Sequence, residues 1–537
     1  MELFNDNEFK PCDDSIFNKN DNFKKQLNKK IKWVRAKDLV DNPQFAINDA
    51  TNEYFTNDII NEDNYKDYFS ITDLDQGCLG NCWFISALGG ILQNYNIFKN
   101  VISFNNSFIN YNGAFYFKFW KYGEWIDIII DDYLPVDDNN NLIFSKNNKY
   151  KNEFWCALIE KAYAKFYGSY ESLNGGFTID ALIDMSGGIE ESYNLKNIIN
   201  NNKNNFWYFI SNLNLSNYSI SCDINTNTSL KINGLIKDHA YIITKIVEFK
   251  SNNNIYKLIK LYNPWGNEYE WNGKWSDKSY IWNLIDNTIK KMLNFQNESD
   301  GVFWMSYDDW LFNFDNCQIC NLSYDNNIYK CHLIHGKWSS DTSGGCGNND
   351  KKKYWLNPQY TFIVNDGNVI ISLMQKYKPY EYIQFRLYKV KNVDIFNKKI
   401  FQVKQIYNYD LEKINTIDNN HYNNEPYLNK REITYKFYLK TGAYIIIPSC
   451  YDEGVEKEFL LRIFTENNNN NSIISNGYVI NYKQNNQINE LNNYSTSYLN
   501  IINKLKEINP DLTIKNHNEI NKINIENKKI ELMPIKI

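Results

Sequence analysis

The feature that most constrains the fold is a change of hydrophobic pattern near residue 325. Before it, residues 82–93 are apolar nearly all round, as in a buried helix, and residues 153–167 form a second helical pattern. Residues 111–135 alternate apolar and polar side chains, which is the period of strands. Beyond residue 325, short aromatic and β-branched runs alternate with turn residues. The sequence therefore predicts an α+β region followed by an all-β domain.

Composition places the chain among folded proteins and argues against some partners. Of its 537 residues 43% are hydrophobic and 16% aromatic, enough for several cores. The net charge of -5 argues against a nucleic-acid binder that uses a basic face. The first residues lack a basic-then-apolar signal, no apolar run reaches the ~18 residues of a membrane span, and ten cysteines are ordinary for a reducing compartment. We expect a cytoplasmic protein that can also be recruited to membranes.

Polar and glycine-rich stretches suggest the domain boundaries. Residues 48–70, acidic and Asn-rich, resemble a surface insertion, and the glycine pairs at 175–176 and 187–188 could form a hinge. We expect a flexible arm (1–31), two halves of the α+β region (32–178 and 179–324), an all-β domain (325–466) and an Asn-rich tail (467–537).

The scarcity of histidine identifies the first candidate catalytic residue. His239 is the only one of five histidines before residue 332, so histidine chemistry in the α+β region depends on it. Strand patterns over 239–249 and 255–262 predict a hairpin, and a turn centred near Ser251 would place His239 opposite Asn263. An imidazole beside an amide acceptor forms the base and the orienting group of a cysteine-protease triad.

Cys82 is the candidate nucleophile, because it begins the predicted buried helix. Amides and the helix dipole at that end favour a thiolate. Gln76 could add a side-chain donor to an oxyanion hole formed with the Cys82 N–H. Each residue alone is compatible with a packing role, and it is their order on these elements that indicates a triad.

Three motifs in the same order resemble those of the calpain family of cysteine proteases. They are Gln76-Gly-Cys-Leu-Gly-Asn-Cys-Trp, Gly234-Leu-Ile-Lys-Asp-His-Ala-Tyr and Asn263-Pro-Trp-Gly-Asn-Glu. The resemblance extends over residues 32–466 and implies a papain-like, two-lobed core followed by a β-sandwich. It implies these roles: nucleophile for Cys82, general base then acid for His239, orienting group for Asn263, oxyanion donor for Gln76, and a position flanking the cleft for Trp265.

The resemblance also implies regulation by two calcium ions, which bind oxygen ligands. Asp73 and Glu153 match the family's first site, where the 48–70 stretch disturbs the backbone contribution. Glu270, Asp277 and Asp300 match the second site. Val302 replaces a further family glutamate there, so we expect weaker binding.

The remaining implications concern partners and departures from the family. The sandwich is expected to bind calcium or phospholipid, and protein substrates are expected. No EF-hand loop follows residue 466, so pairing with an EF-hand small subunit is not expected. Asn81 stands where calpains usually carry Asp, and we expect activity to survive. Cys78 is either a spare thiol or a redox partner of Cys82.

The sequence predicts a calcium-regulated cysteine endopeptidase that makes limited cuts through a thioester. Two alternatives stay open: a transglutaminase-like acyl transferase and a catalytically silent scaffold that binds membranes or proteins. Cys317 and Cys320, with Cys331-His332 nearby, raise the further alternative of a zinc site.

Overall fold

The computed structural model describes residues 2–466 in two compact units, Met1–Ser323 and Tyr324–Ile537. It leaves out, besides Met1 and the predicted tail 467–537, residues 19–20, 28–29, 50, 56–59, 110, 148, 226–232, 252, 267–269, 323–328, 365, 391–410 and 415–425. Among the described residues no helix has both the length and the hydrophobicity to cross a membrane. Each unit is described by itself.

The first unit begins with a mainly helical half that also carries short strand pairs. Strand β1 pairs with β4, and β2 with β3, both antiparallel. Its elements are α1 (Asp13–Ile16), α2 (Asp21–Leu27), β1 (Lys32–Arg35), α3 (Ala36–Leu39), α4 (Tyr65–Tyr68), α5 (Cys82–Ile91), α6 (Tyr95–Val101), β2 (Ala114–Lys121), β3 (Glu124–Asp131), β4 (Tyr133–Val136), α7 (Trp155–Tyr167) and α8 (Thr178–Ser186).

The second half of this unit is built on a six-stranded antiparallel sheet in the order β5-β10-β6-β7-β8-β9. Its elements are β5 (Ile189–Asn194), α9 (Leu195–Asn201), α10 (Lys203–Ser211), β6 (Tyr218–Ile224), β7 (His239–Ser251), β8 (Asn254–Tyr262), α11 (Asn287–Leu293), β9 (Val302–Ser306), α12 (Tyr307–Asn313) and β10 (Asn316–Asn321). Alternate residues of these strands pack with the helices into one apolar core.

The predicted helices and the predicted hairpin are present. α5 is buried along nearly its whole length, which explains why its sequence is apolar on every face. The predicted register of the hairpin is wrong: Ser251 pairs with Asn254, so the turn holds two residues, and the ladder is irregular between Ile243 and Lys245. A bulge of this kind shifts every pair beyond it, and a period-two pattern gives no sign of it.

The expected flexible arm, residues 1–31, is instead tied to the helical half where the structure describes it. The buried Asp6 donates its backbone N–H to the Asp131 carboxylate and pairs with Lys165 at 2.9 Å. Phe9 is buried as well. Although this segment is polar on average, a few of its side chains are buried, and each of these contacts a residue far along the chain.

Where the structure describes it, the 48–70 stretch is more than the surface insertion that its composition suggested, because several of its aromatic residues are buried. Phe55 and Phe69 are buried with their ring centroids 5.4 Å apart, and Phe69 also meets Trp155 at 5.3 Å. Aromatic side chains spaced along this acidic stretch therefore belong to the core of the helical half.

The second unit is the predicted β-sandwich. Its four-stranded sheet has the order β11-β19-β13-β17, and its five-stranded sheet β12-β18-β14-β15 with β16 beside β14. Alternate side chains of both sheets meet in one core. The strands are β11 (Tyr329–Trp338), β12 (Tyr360–Val364), β13 (Gly367–Gln375), β14 (Tyr382–Val390), β15 (Leu411–Ile414), β16 (Leu428–Asn429), β17 (Glu432–Leu439), β18 (Gly442–Cys450) and β19 (Lys457–Glu466).

Candidate active site

The thiol of Cys82 lies where the helical half meets the sheet. Cys82 is the first residue of α5 and is half-buried. α5 runs along β7, where the Ser86 hydroxyl donates to the Ala240 carbonyl at 3.0 Å. The Ala240 N–H is close enough to the sulfur to act on the pKa of the thiol. This contact places the thiol beside the first residues of β7, which begins at His239.

His239 and Asn263 are brought together beyond the end of the hairpin ladder, whose last pair is Ile242 and Tyr262. The distance between His239 Nε2 and Asn263 Oδ1 is 2.7 Å, and both residues are buried. Because the amide oxygen only accepts hydrogen bonds, Nε2 carries the proton and Nδ1 keeps a lone pair. This is the arrangement that a general base needs.

Trp265 encloses this hydrogen bond. Its ring centroid lies 4.9 Å from that of His239, and its backbone N–H donates to Asn263 Oδ1 at 3.1 Å. The Asn263 N–H donates in turn to the Gly301 carbonyl at 2.8 Å. The Asn263 amide is therefore held at its backbone and at its side chain, and the Trp265 ring packs beside the imidazole that it contacts.

The thiol and the imidazole are both neutral in this state. Burial lowers the pKa of His239 to about 4, and the bond to Asn263 opposes this only in part. Burial also raises the pKa of Cys82, against the nearby N–H groups of Ala240, Trp83 and Cys82 itself. Among the hydrogen bonds of the described residues, none joins the Cys82 thiol to the His239 ring.

Gln76 lies in the turn that precedes α5. Its backbone N–H donates to the Pro264 carbonyl at 3.2 Å, which ties this turn to the residue after Asn263. Its side-chain Nε2 donates to the Leu79 carbonyl at 2.6 Å, and its buried Oε1 has no hydrogen-bond partner. In this state the amide donor is occupied within its own turn.

Glu270, Asp277 and Asp300, the residues that the resemblance assigns to the second site, lie near enough for the charges of Glu270 and Asp300 to act on Asp277. Burial, together with the charges of Glu270 and Asp300, raises the pKa of Asp277 to about 7. One oxygen of Asp277, Oδ2, is buried and accepts no hydrogen bond. Lys260 partly offsets these charges. A cation would relieve this repulsion, although among the described residues these three carboxylates do not gather closely enough to form a metal site.

Asp73 and Glu153 are also buried together, but three of their four carboxylate oxygens already accept hydrogen bonds. Asp73 Oδ2 accepts the Ser70 N–H at 2.7 Å and the Trp155 Nε1–H at 3.3 Å. Glu153 accepts the Ile47 N–H at 2.8 Å and the Asn147 side-chain amide.

A lysine lies close to this pair of acids. Lys149 pairs with Asp49, and both charges act on Asp73. These residues therefore already provide donors and a positive charge, and they fit a cation less well than the second set. Among the described residues, no three His, Cys, Asp or Glu side chains are gathered tightly as a metal site.

The zinc alternative finds no support in the described geometry. Cys317 and Cys320 lie three residues apart on β10, so their side chains point to opposite faces of the sheet. Cys317 belongs to the apolar core, and Cys320 lies near Ser186. This spacing cannot direct both sulfurs to one ion.

A segment with no catalytic motif in the sequence runs beside the turn that precedes Cys82. The Asn174 side chain accepts the Gly80 N–H at 3.0 Å, and the Gly175 N–H donates to the Gly80 carbonyl at 2.8 Å. A Cβ at Gly176 would overlap the Trp83 ring. The glycine pair, interpreted as a hinge, was the available signal: Gly175 adopts a positive φ, and Gly176 lets the backbone approach the Trp83 ring.

Comparison with known families agrees with these features. Residues 4–321 match the model of the calpain family cysteine protease, and residues 334–464 match that of the calpain large subunit, domain III. Calpain-A of Drosophila melanogaster is 34% identical over 501 residues, which are 87% of this chain and 56% of that protein. Calpain clp-4 of Caenorhabditis elegans is 33% identical, with 88% and 67% covered.

A mammalian protein is similar to the same extent. Calpain-8 of Rattus norvegicus is 33% identical over 506 residues, covering 86% of this chain and 66% of that protein. The chain thus spans between half and two thirds of the length of the curated relatives it matches.

Proposed function

Because the chain belongs to the calpain family of cysteine proteases, we propose that it is an endopeptidase in which Cys82 is the nucleophile, His239 the base and Asn263 the orienting group. The observation that carries this proposal is the 2.7 Å contact between His239 and Asn263 beside the start of α5. We also propose that the helical half and the sheet half act as the two lobes of a papain-like core. A substrate would bind where these halves meet.

The proposed reaction starts from the neutral pair. His239 Nδ1 takes the thiol proton while the Cys82 sulfur attacks the carbonyl carbon of a peptide bond. The Cys82 N–H and the Gln76 amide, released from Leu79, stabilise the negative oxygen. His239 then protonates the leaving amine, and water hydrolyses the thioester. Burial disfavours the charged forms of Cys82 and His239, so the thiolate–imidazolium pair forms only when the thiol and the ring come into hydrogen-bond contact.

We further propose that calcium regulates this step through the second set of carboxylates. Glu270, Asp277 and Asp300 would hold the ion, whose positive charge offsets their mutual repulsion. Support comes from the raised pKa of Asp277 and its unpaired Oδ2. Glu270 also accepts the Gly301 N–H at 2.8 Å, and Gly301 bonds to Asn263, so this set is linked to the orienting amide.

The proposed substrates are proteins cut at a limited number of positions, in the cytoplasm. The sandwich, whose residues 334–464 match a calpain domain, would contact phospholipid and recruit the chain to membranes.

Digestion of casein with and without Ca²⁺, by wild type and by Cys82→Ala, tests the protease. Cleavage by wild type alone supports it, and no cleavage at millimolar Ca²⁺ rejects it in favour of the silent scaffold. Cross-linked casein, in place of fragments, would indicate the transglutaminase. Cleavage without Ca²⁺ would reject only the calcium switch.

Calorimetric titration with Ca²⁺ tests the site separately from activity. Asp277→Asn should lose binding, whereas Asp127→Asn, at an exposed position, should keep it. Unchanged binding by Asp277→Asn would place calcium elsewhere.

A further inference from the structure

Asn81 immediately precedes the nucleophile, yet its side chain does not cap the helix that begins there. Its backbone carbonyl accepts the N–H groups of Phe84 and Ile85, as at an ordinary helix start. Its side chain makes no capping hydrogen bond and is fully buried. Asparagine is a favoured N-cap, so a contact elsewhere must replace that interaction.

That contact is with a buried carboxylate on α7. Asn81 Nδ2 donates to Glu160 Oε1 at 2.7 Å, and the Ser145 N–H donates to Glu160 Oε2 at 2.8 Å. Glu160 is 1% exposed. One carboxylate therefore holds the residue before the nucleophile and, at the same time, a separate loop of the helical half.

The loop that contains Ser145 also contacts the turn before α5 directly. The Cys78 N–H and its thiol both approach the Ile143 carbonyl, at 3.2 and 2.9 Å. The turn that precedes Cys82 is thus connected to this loop at two points. One is the direct contact of Cys78 with Ile143, and the other, which is buried, runs from Asn81 through Glu160 to Ser145. A displacement of about 1 Å at such a turn costs on the order of 100-fold in rate.

Resting on the proposed function, we infer that Asn81 and Glu160 are a positioning pair that fixes the turn before the nucleophile Cys82. Because position 81 carries an amide, the hydrogen bond of this pair does not depend on a proton shared between two carboxylates. An amide N–H donates to a carboxylate at any pH. Two carboxylates at this distance form a hydrogen bond only while they share a proton, and this sharing ends as the pH rises.

The surroundings of Glu160 favour this role. Burial raises its pKa to about 7, even though the donors from Ser145 and Asn81 act in the opposite direction. Among the described residues, Glu160 acts electrostatically on Cys156, on its own helix, and on Tyr170, in the segment that follows. Burial raises the pKa of both groups, so both are neutral near pH 7. A carboxylate at position 81 would place a second negative charge against Glu160.

The test compares Asn81→Asp, Glu160→Gln and the double variant of the full chain, with a fluorogenic peptide at saturating Ca²⁺ from about pH 6 to pH 9. Asn81→Asp should lose kcat increasingly as the pH rises, by roughly tenfold or more at the alkaline end, with KM nearly unchanged. The double variant exchanges amide and carboxylate, so it should recover kcat and lose the pH dependence. Glu160→Gln places two amides together, and should be intermediate at every pH.

A second readout keeps the inference separate from the protease proposal. The rate of Cys82 alkylation by iodoacetamide, measured by mass spectrometry of its peptide, should follow the same order of variants even if no substrate is cleaved. Thermal unfolding identifies variants that fail to fold. The inference is overturned if folded Asn81→Asp matches wild type in both readouts over the whole range, or if the double variant is no better than Asn81→Asp.

Discussion

The depressed pKa of His239 makes a quantitative prediction about stability. Folded His239 titrates at about 4, against 6.5 for the unfolded group. Between these values the unfolded chain binds a proton that the folded chain does not. The free energy of unfolding therefore falls as the pH falls from 6.5 towards 4. The difference of about 2.5 between the two pKa values limits the loss in the free energy of unfolding to about 3.4 kcal/mol. Of this, about 2.5 kcal/mol is lost between about pH 7.5 and pH 4.5.

The perturbation is His239→Gln in a Cys82→Ala background, which prevents self-digestion. The glutamine amide can still donate to Asn263, but it does not titrate. Buried carboxylates with raised pKa values, such as Asp277 and Glu160, act in the opposite direction, since their protonated forms fold better. They are the same in both proteins, so the difference between the two pH profiles isolates His239.

Urea unfolding followed by tryptophan fluorescence measures this difference. All tryptophans except Trp338 and Trp355 lie in the first unit, so its transition dominates the signal. His239→Gln should lose about 2.5 kcal/mol less than its parent when the pH is lowered from about 7.5 to 4.5. Profiles that agree within about 0.5 kcal/mol would show that the folded imidazole is not neutral at low pH, and would refute the reasoning.

Three further substitutions test packing and orientation. Asn263→Ala leaves a buried imidazole N–H unpaired, so kcat should fall by roughly 5- to 150-fold in steady-state assays; unchanged kcat would contradict the orienting role. Gly176→Ala forces a methyl group into the Trp83 ring and should cost about 1–3 kcal/mol in urea unfolding. Asp131→Ala leaves its buried lysine partner uncompensated and should cost about 3–5 kcal/mol, whereas the exposed Asp127→Ala should cost less than 1 kcal/mol; equal losses would contradict the burial argument.

Elements with a strong local pattern could be predicted from the sequence. α5 and α7 begin and end within two residues of the predicted ranges, because a buried helical pattern is contained in the segment itself. The hairpin was predicted for the same reason, but its register was not. The two-residue turn and the irregularity after Ile243 depend on neighbouring strands, which pair with both sides of β7.

Segments whose role depends on distant partners were predicted wrongly. Residues 48–70 and the start of the chain are polar on average, and their composition suggested exposed chain. A few buried side chains, Phe69 and Asp6 among them, decide the outcome, because each meets residues from another part of the chain. Average polarity carries no information about such contacts.

The sequence by itself determined the kinds of elements, the order of the two units and the residues that can carry the chemistry, since these follow from local periodicity, scarcity and motif order. Only the tertiary structure decided by what geometry those residues meet and in which protonation state. The contact of His239 with Asn263 forms beyond the hairpin ladder. Its neutral ring follows from burial, and Asn81 finds Glu160 on a helix 79 residues away in the chain. Contact and burial are properties of the whole fold, because desolvation depends on every element that surrounds a group.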